Sequence, residues 1–291
     1  MLQRDVGVAF QLRKGESIAH GLERIVRREL RDAIDQLAGM DVSEGAVHEA
    51  RKSIKKVRAI LLLVGDDIGA NDALKQLRRA GRALAPLRDA EALMHTASEL
   101  SAGQPVSEAT RRALRKQLST RHSRLIGSPR SRRLNKEAAA VLKEAHRSAR
   151  HWHWREVSGS AWLTELRRHY KKARRTMRKA RVRPGAKAFH TWRKRVKTLW
   201  YALRLLPRHP RSINRELGEL EHLETWLGED QNLAVLRSRL SDGLELPGVT
   251  RVRSLAEQRQ RALRRRALTV GSREFTSTSK AFAKRIEPLL H

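Results

Sequence analysis

The chain has 291 residues, of which 40% are hydrophobic and 4% aromatic, and its 63 Lys and Arg against 31 Asp and Glu give a formal net charge of +32. This hydrophobic content supports a packed core and argues against a wholly disordered chain. The excess of positive charge favours a polyanionic partner. The chain contains no cysteine, which excludes disulfides, thiolate metal sites and cysteine nucleophiles. No signal-peptide pattern or membrane-spanning apolar run is visible, so we expect a cytoplasmic protein that does not bind membranes.

Hydrophobic residues recur at helical spacing along most of the chain, and no segment alternates as a strand does, so we expect an all-α fold. Residues 1–16 are predicted to be a loose, polar lead-in. Ser43 is expected to cap the helix that follows it, and Pro86 to separate two helices. The predicted helices cover residues 17–37, 43–64, 72–86, 88–101, 106–125, 133–154, 161–181, 186–206, 212–228, 230–241, 249–269 and 273–287. The predicted breaks between them include residues 39–42, 65–71, 103–105, 127–129 and 247–248.

One stretch of the sequence occurs twice. Residues 48–58 and 190–201 both follow the pattern H-x-x-R-K-x-(I/V)-K, with His48 aligned on His190 at an offset of 142. At roughly 100° per residue, the basic positions of each copy fall on one face of a helix, and the apolar residues fall on the opposite face. Each copy is therefore predicted to bury one side and to present a row of positive charge on the other.

A second pair of segments repeats in the same order. Residues 84–93 match residues 227–236 at an offset of 143. Two matches at nearly one offset predict two related helical halves, residues 17–155 and 159–287, arranged as pseudo-symmetric bundles.

The basic rows have the composition of a phosphate-binding surface. Arg can bind phosphate oxygens with two hydrogen bonds, Lys acts as a point charge, and a neighbouring polyanion favours the protonated form of His. A simple solvated helix face is the alternative, and the duplication argues against it. The candidate residues are His48, Arg51, Lys52, Lys55 and Arg58 in the first copy, and His190, Arg193, Lys194 and Lys197 in the second.

The helix predicted at residues 161–181 is the next most basic segment. Glu165 is almost the only acidic residue that could compensate its charge. Like charges spaced four apart destabilise an isolated helix, which favours a bound anion. The basic residues form one row at Arg167, Lys171, Arg174 and Arg178, and a second row beside it at Arg168, Lys172, Arg175 and Lys179.

Signatures of metal sites and catalysis are weak. His151 and His153 are two residues apart, which directs them to different sides of a helix. The chain lacks G-x-x-x-x-G-K-(S/T), H-E-x-x-H and G-x-S-x-G. We therefore predict no catalytic residue, no metal and no cofactor.

Two alternatives to a phosphate-chain binder stay open. A non-specific nucleic-acid-binding protein could use Trp152, Trp154 and Trp200 as stacking surfaces. A phosphohydrolase could use His48 and His190 as acid or base.

Four segments together resemble the CHAD family, the conserved histidine α-helical domains. The first half resembles the family pattern H-x-x-R-x-x-x-(R/K)-(R/K)-x-R, followed by L-x-x-x-R-D. The second half resembles Y-x-x-x-R-R and then H-x-x-R-K-x-x-K-x-L-R-Y, with Trp200 in place of the last Arg. The matching residues are His48, Arg51, Lys55, Lys56, Arg58, Leu84, Arg88, Asp89, Tyr170, Arg174, Arg175, His190, Arg193, Lys194, Lys197 and Tyr201.

This resemblance implies a CHAD domain over residues 17–287, with two helical bundles and basic residues that line a central groove. It also implies inorganic polyphosphate as the ligand and an association with polyphosphate granules. The E-x-E-x-K motif of the triphosphate tunnel domains that accompany many family members is absent. We therefore expect a stand-alone binding module with no enzyme activity, which also accepts other polyanions such as nucleic acid, phosphate or sulfate.

Overall fold

The computed structural model describes residues 10–39, 42–102, 106–126, 128–241 and 248–290, and these ranges contain eleven α-helices and no strand. The prediction of an all-α fold is confirmed. Residues 1–9 of the predicted lead-in and the predicted breaks at 40–41, 103–105, 127 and 247 lie outside the described residues. The helices are α1 Ile18–Gln36, α2 Glu44–Val64, α3 Asn71–Ala83, α4 Ala85–Ser101, α5 Glu108–Leu125, α6 Pro129–Ser148, α7 Gly159–Val182, α8 Ala186–Arg204, α9 Arg211–Ser241, α10 Val249–Glu274 and α11 Ser279–Ile286.

Hydroxyl side chains begin six of these helices. The predicted cap at Ser43 is confirmed, since its Oγ accepts a hydrogen bond from the Ala46 backbone N–H at 3.2 Å. Such a bond satisfies one of the N–H groups that the first turn of a helix leaves unpaired. The cap fixes the start of α2, which carries the first copy of the repeated motif. The same arrangement is found at Ser17, Ser107, Ser128, Ser158 and Thr278.

The prediction of separate helices at 212–228 and 230–241 is wrong, because α9 runs without interruption through both segments. The matching part of the first half is divided into α3 and α4, and Pro86 lies in the first turn of α4. Proline has no N–H to continue a helix across that point, and α9 contains no proline. The helix predicted at 133–154 is shorter than expected: α6 ends at Ser148, and two short 3₁₀ turns follow it.

The end of the predicted lead-in belongs to the core. The side chain of Phe10 is fully buried, and its ring packs edge-on against the ring of Tyr201 with 5.7 Å between centroids. The Leu12 backbone N–H donates to the Leu205 carbonyl at 3.1 Å. The prediction of a loose segment is therefore wrong for residues 10–16, because two apolar side chains among polar neighbours are enough to attach it.

One buried cluster contains side chains from both predicted halves, together with Phe10 before them and Leu290 after them. Within it, α2 packs against α7 and α8, and α8 packs along α9. The two helices that carry the repeated motif are thus in contact. A second apolar cluster lies between α4, α5, α9 and α10. Among the described residues, no helix combines the length and the apolar character needed to cross a membrane.

Candidate anion-binding site

A pocket of about 480 Å³ lies between the two motif helices and is bounded by α2, α4, α8 and α9, with one residue from α3. Nine Lys and Arg side chains line this basic pocket, against one lining carboxylate, that of Asp89. Such a concentration of like charge in a concave, partly desolvated space attracts anions strongly. The nine are Arg51, Lys55, Arg58, Arg78, Arg88, Arg193, Lys194, Arg195 and Lys197.

The α2 side of the pocket has unsatisfied donors. Arg51, Lys55 and Arg58 are spaced four and three residues apart, which places them on one face of the helix. The Arg51 Nη1 donates to the Gly81 carbonyl at 2.6 Å. The Nε atoms of Arg51 and Arg58 are buried and have no hydrogen-bond partner among the described residues. Buried donors without partners are uncommon in folded proteins, and here they are consistent with a ligand that supplies acceptors.

Lys55 is the most perturbed cation in the pocket. Burial, together with the positive charges of Lys197, Arg51, Arg88 and Arg193, lowers the pKa of its ammonium to about 7. Lys55 has no ion pair among the described residues. A phosphate oxygen beside Nζ would supply the missing opposite charge and would raise this pKa.

The α8 side carries its own counter-ion. Glu224 of α9 accepts hydrogen bonds from Arg193 Nη2 at 2.8 Å and from Lys197 Nζ at 2.6 Å, both on the same carboxylate oxygen. Burial raises the pKa of the Glu224 carboxyl, but Lys197 and Arg193 together outweigh it, so the pKa lies below its ordinary value. Burial also lowers the pKa of Lys197. The attraction of Glu224 raises this pKa, but burial and the nearby charges of Arg193 and Arg88 outweigh it.

The two motif histidines occupy different positions. His190 lines the pocket, and its Nδ1 is buried without a hydrogen-bond partner among the described residues. Burial, with Lys194 and Arg193, lowers the pKa of His190. His48 does not line the pocket, although the charges of Lys55 and Arg88 act on it and its pKa is also lowered, mainly by burial. Both rings are therefore predominantly neutral at neutral pH until an anion is close to them.

Two candidate lysines of α2 do not line the pocket. Lys56 Nζ lies 2.6 Å from the Glu29 carboxylate of α1, which also accepts from the Ser53 hydroxyl at 2.7 Å. Lys52 is paired with Glu49 on the same helix at 2.9 Å. Neither lysine lines the pocket, because Lys56 ties α2 to α1 and Lys52 is paired along its own helix.

The basic row of α7 does not line the pocket. Arg174 donates to the Phe275 and Thr276 carbonyls at 2.9 and 3.3 Å, so it closes the end of α10. These hydrogen bonds hold its guanidinium away from the pocket, and its role as a phosphate ligand stays a prediction. The other candidates in this helix are exposed and absent from the pocket wall; they are Arg167, Lys171, Arg175 and Arg178. The neighbouring row comes closer, since the charges of Lys172 and Arg195 act on each other.

Two pocket residues, and one carboxylate that binds two of the pocket cations, were missed by the sequence analysis. Arg195 is adjacent to the motif residue Lys194, and its position between two lysines of the motif could have signalled it. Arg78 comes from α3, in a segment with no repeated pattern. Glu224 was also missed, although it is an acidic residue only three positions before the repeated segment 227–236. Tyr201, as predicted from the resemblance, does line the pocket, and burial raises the pKa of its hydroxyl, which stays protonated as a donor.

The part of the chain that the structure describes contains no group of three or more His, Cys, Asp or Glu that could hold a metal ion. Of the tryptophans considered for base stacking, Trp154 is buried and donates its Nε1–H to the Ala149 carbonyl at 2.7 Å. Trp200 packs against Tyr201 and lies under the guanidinium of Arg204. These two rings are already engaged within the protein.

Comparison with known families identifies the chain. The family model of the CHAD domain matches residues 24–241. The chain belongs to the CHAD domain family. Among solved structures, the CHAD domain from the plant Ricinus communis matches with a TM-score of 0.58 and 19% sequence identity, over 92% of this chain and 95% of that chain. No curated protein matches. The basic pocket of this CHAD domain lies between its two motif helices.

Proposed function

We propose that this CHAD domain binds inorganic polyphosphate in the basic pocket and performs no chemistry on it. The observation that carries the proposal is the convergence of nine cations from separate helices on one pocket, with buried guanidinium N–H groups left without acceptors. A flexible chain of closely spaced phosphates offers acceptors along its whole length. The family resemblance of the motifs points to the same ligand, and an association with polyphosphate granules would follow from it.

Electrostatics supports a salt-dependent binder. A polyanion that is neutralised by lysines and arginines releases its own counter-ions, so affinity falls steeply as salt rises. Isothermal calorimetry with long-chain polyphosphate, triphosphate and duplex DNA at one ionic strength tests the choice of ligand, and repeating it at higher salt tests the expected fall in affinity. We expect long-chain polyphosphate to bind most tightly, per binding site. Equal affinity for DNA would favour a general polyanion binder, and no binding of polyphosphate would refute the proposal.

A matched pair of variants locates the site. Changing the three accessible pocket cations Arg88, Lys194 and Arg195 to Gln should weaken polyphosphate binding about a hundredfold or more, because each loses a charge-assisted contact. The control changes Arg251, Arg265 and Arg266 to Gln, which removes the same charge from an exposed surface of α10. Equal losses in both variants would show that net charge, and not the pocket, governs binding.

The absence of chemistry is tested in the same preparations. We expect no release of orthophosphate from polyphosphate. Release by the purified protein that is lost in His190→Ala would favour the phosphohydrolase alternative.

A further inference from the structure

The two sides of the basic pocket differ in how their charge is compensated. On the α8 side, Arg193 and Lys197 share the carboxylate of Glu224. On the α2 side, Arg51 binds only a backbone carbonyl, that of Gly81, and Lys55 has no ion pair among the described residues. The α8 side therefore has a close counter-ion, whereas the carboxylate that lines the pocket, Asp89, lies 3.8 Å from Arg88 and forms no such short contact.

The repeated sequence explains this difference. At the offset of 143 that aligns residues 84–93 with residues 227–236, Gly81 corresponds to Glu224. Arg51 and Arg193 are equivalent in the motif, and each binds the residue at this position: a carbonyl at Gly81, a carboxylate at Glu224. The glycine has no side chain that could neutralise Lys55 as Glu224 neutralises Lys197.

The neighbouring backbone also holds Arg193 towards α9. A Cβ at Gly228 would lie 3.1 Å from Arg193 Nη2, so the guanidinium packs directly on the helix at this glycine. Because Glu224 and Gly228 are one turn apart, the same stretch of α9 binds the charge of Arg193 and accommodates its plane. An incoming phosphate must compete with this arrangement before it can use Arg193 and Lys197.

From this asymmetry we infer that Glu224 acts as a resident anion that divides the pocket into two unequal subsites, so that short phosphates bind only on the α2 side and long phosphate chains alone reach the α8 side. This inference rests on the proposed function and specifies the ligand class. A phosphate group first binds on the α2 side, where Lys55 has no ion pair among the described residues and Arg88 has only a long contact, 3.8 Å, with the exposed carboxylate of Asp89. Only a chain that reaches across the pocket supplies enough phosphate oxygens to displace Glu224 from Arg193 and Lys197.

The first experiment removes the charge of Glu224 without changing its shape. The affinities of pyrophosphate and long-chain polyphosphate are measured by calorimetry for the wild type, Glu224→Gln and Glu229→Gln. Glu229 is the matched control, since it lies on the same helix and pairs with Arg259 at 2.6 Å outside the pocket. Both variants change the net charge by the same amount.

We expect Glu224→Gln to raise the ratio of long-chain to pyrophosphate affinity about tenfold, because the long chain no longer displaces a charged competitor. Glu229→Gln should leave the ratio as in the wild type. An unchanged ratio in Glu224→Gln would overturn the inference, since Glu224 would then be a fixed structural partner. Urea unfolding of both variants shows whether either has lost its fold.

The second experiment installs the missing carboxylate on the other side. A Cβ at Gly81 would meet only ordinary contacts, 3.5 Å from Ile54 and 3.8 Å from Arg58 Nη1, so a side chain fits there. Gly81→Glu should weaken pyrophosphate binding about tenfold relative to Gly81→Gln, which has the same size but no charge. Equal pyrophosphate affinity in these two variants would overturn the assignment of the first subsite to the α2 side.

Failure of this inference can be told from failure of the proposed function. If the wild type does not bind polyphosphate, both fall together. If the wild type binds it and Glu224→Gln behaves as Glu229→Gln does, the pocket remains the polyphosphate site and only the role of Glu224 is refuted.

Discussion

Replacing Lys55 with Met should stabilise the free protein and weaken its binding of polyphosphate. The pKa of Lys55 is about 7, against an ordinary value of 10.5. Because each pH unit of that difference corresponds to about 1.4 kcal/mol, the buried ammonium costs the folded protein on the order of 4 kcal/mol at pH 7. Residual solvent around a group that is not fully buried reduces this cost. We therefore expect Lys55→Met to raise the free energy of unfolding at pH 7 by about 2 kcal/mol.

The pH dependence of this gain has a definite sign. Since the pKa of Lys55 is depressed in the folded state, the unfolded chain binds more protons between about pH 7 and pH 10.5. The stability contribution of Lys55 in the wild type therefore rises with pH in this window, whereas Met contributes no such change. The advantage of Lys55→Met should fall to about a third of its pH 7 value by pH 9.5.

Urea unfolding of the wild type and Lys55→Met at pH 7, 8 and 9.5, without phosphate, measures this difference. Lys75→Met is the control, because Lys75 is exposed, pairs with Asp72 and does not line the pocket. Calorimetry at pH 7 should show polyphosphate affinity reduced about tenfold in Lys55→Met and unchanged in the control. A destabilised Lys55→Met, or a stability difference that is independent of pH, would refute the view that Lys55 is a buried, uncompensated cation.

Two further predictions concern the fold. Arg174→Met should lower the free energy of unfolding in urea by about 1–2 kcal/mol, because the Phe275 carbonyl loses its donor. It should leave polyphosphate affinity unchanged. Reduced affinity in a folded variant would show that Arg174 contributes to the binding surface. Phe10→Ala should lower the free energy of unfolding by about 3–5 kcal/mol in urea melts, since it empties a fully buried site; a loss below about 1 kcal/mol would indicate that residues 10–16 are only loosely attached.

The sequence predicted the local features of this domain well. Helix formation depends on neighbours three and four residues apart, so the apolar spacing identified the helices and Ser43 identified the start of α2. The same periodicity placed Arg51 and Lys55 on one helix face. The repeated motif identified α8 as a second helix with the same basic face as α2. Pro86 marked the division between α3 and α4. The corresponding stretch of the second half has no proline, which agrees with the continuous α9.

The sequence could not decide which basic faces meet. Lys56 and Arg174 match the family pattern as well as Lys55 does, but they bind Glu29 and the end of α10. Which side of a helix faces a pocket depends on how that helix packs against others. Nothing in the local periodicity of α7 or α2 carries this information.

Sequence alone thus determined an all-α chain with a duplicated basic motif and a strong positive charge, because these follow from composition and from spacing along the chain. Only the tertiary structure brought Arg51 and Lys55 into one pocket with Arg193 and Lys197, and only it placed Glu224 between the last two. The α2 residues lie more than a hundred positions from those of α8 and α9, so the distances between them depend on how these three helices pack. The charge on each helix is a property of the sequence, while its compensation is a property of the fold.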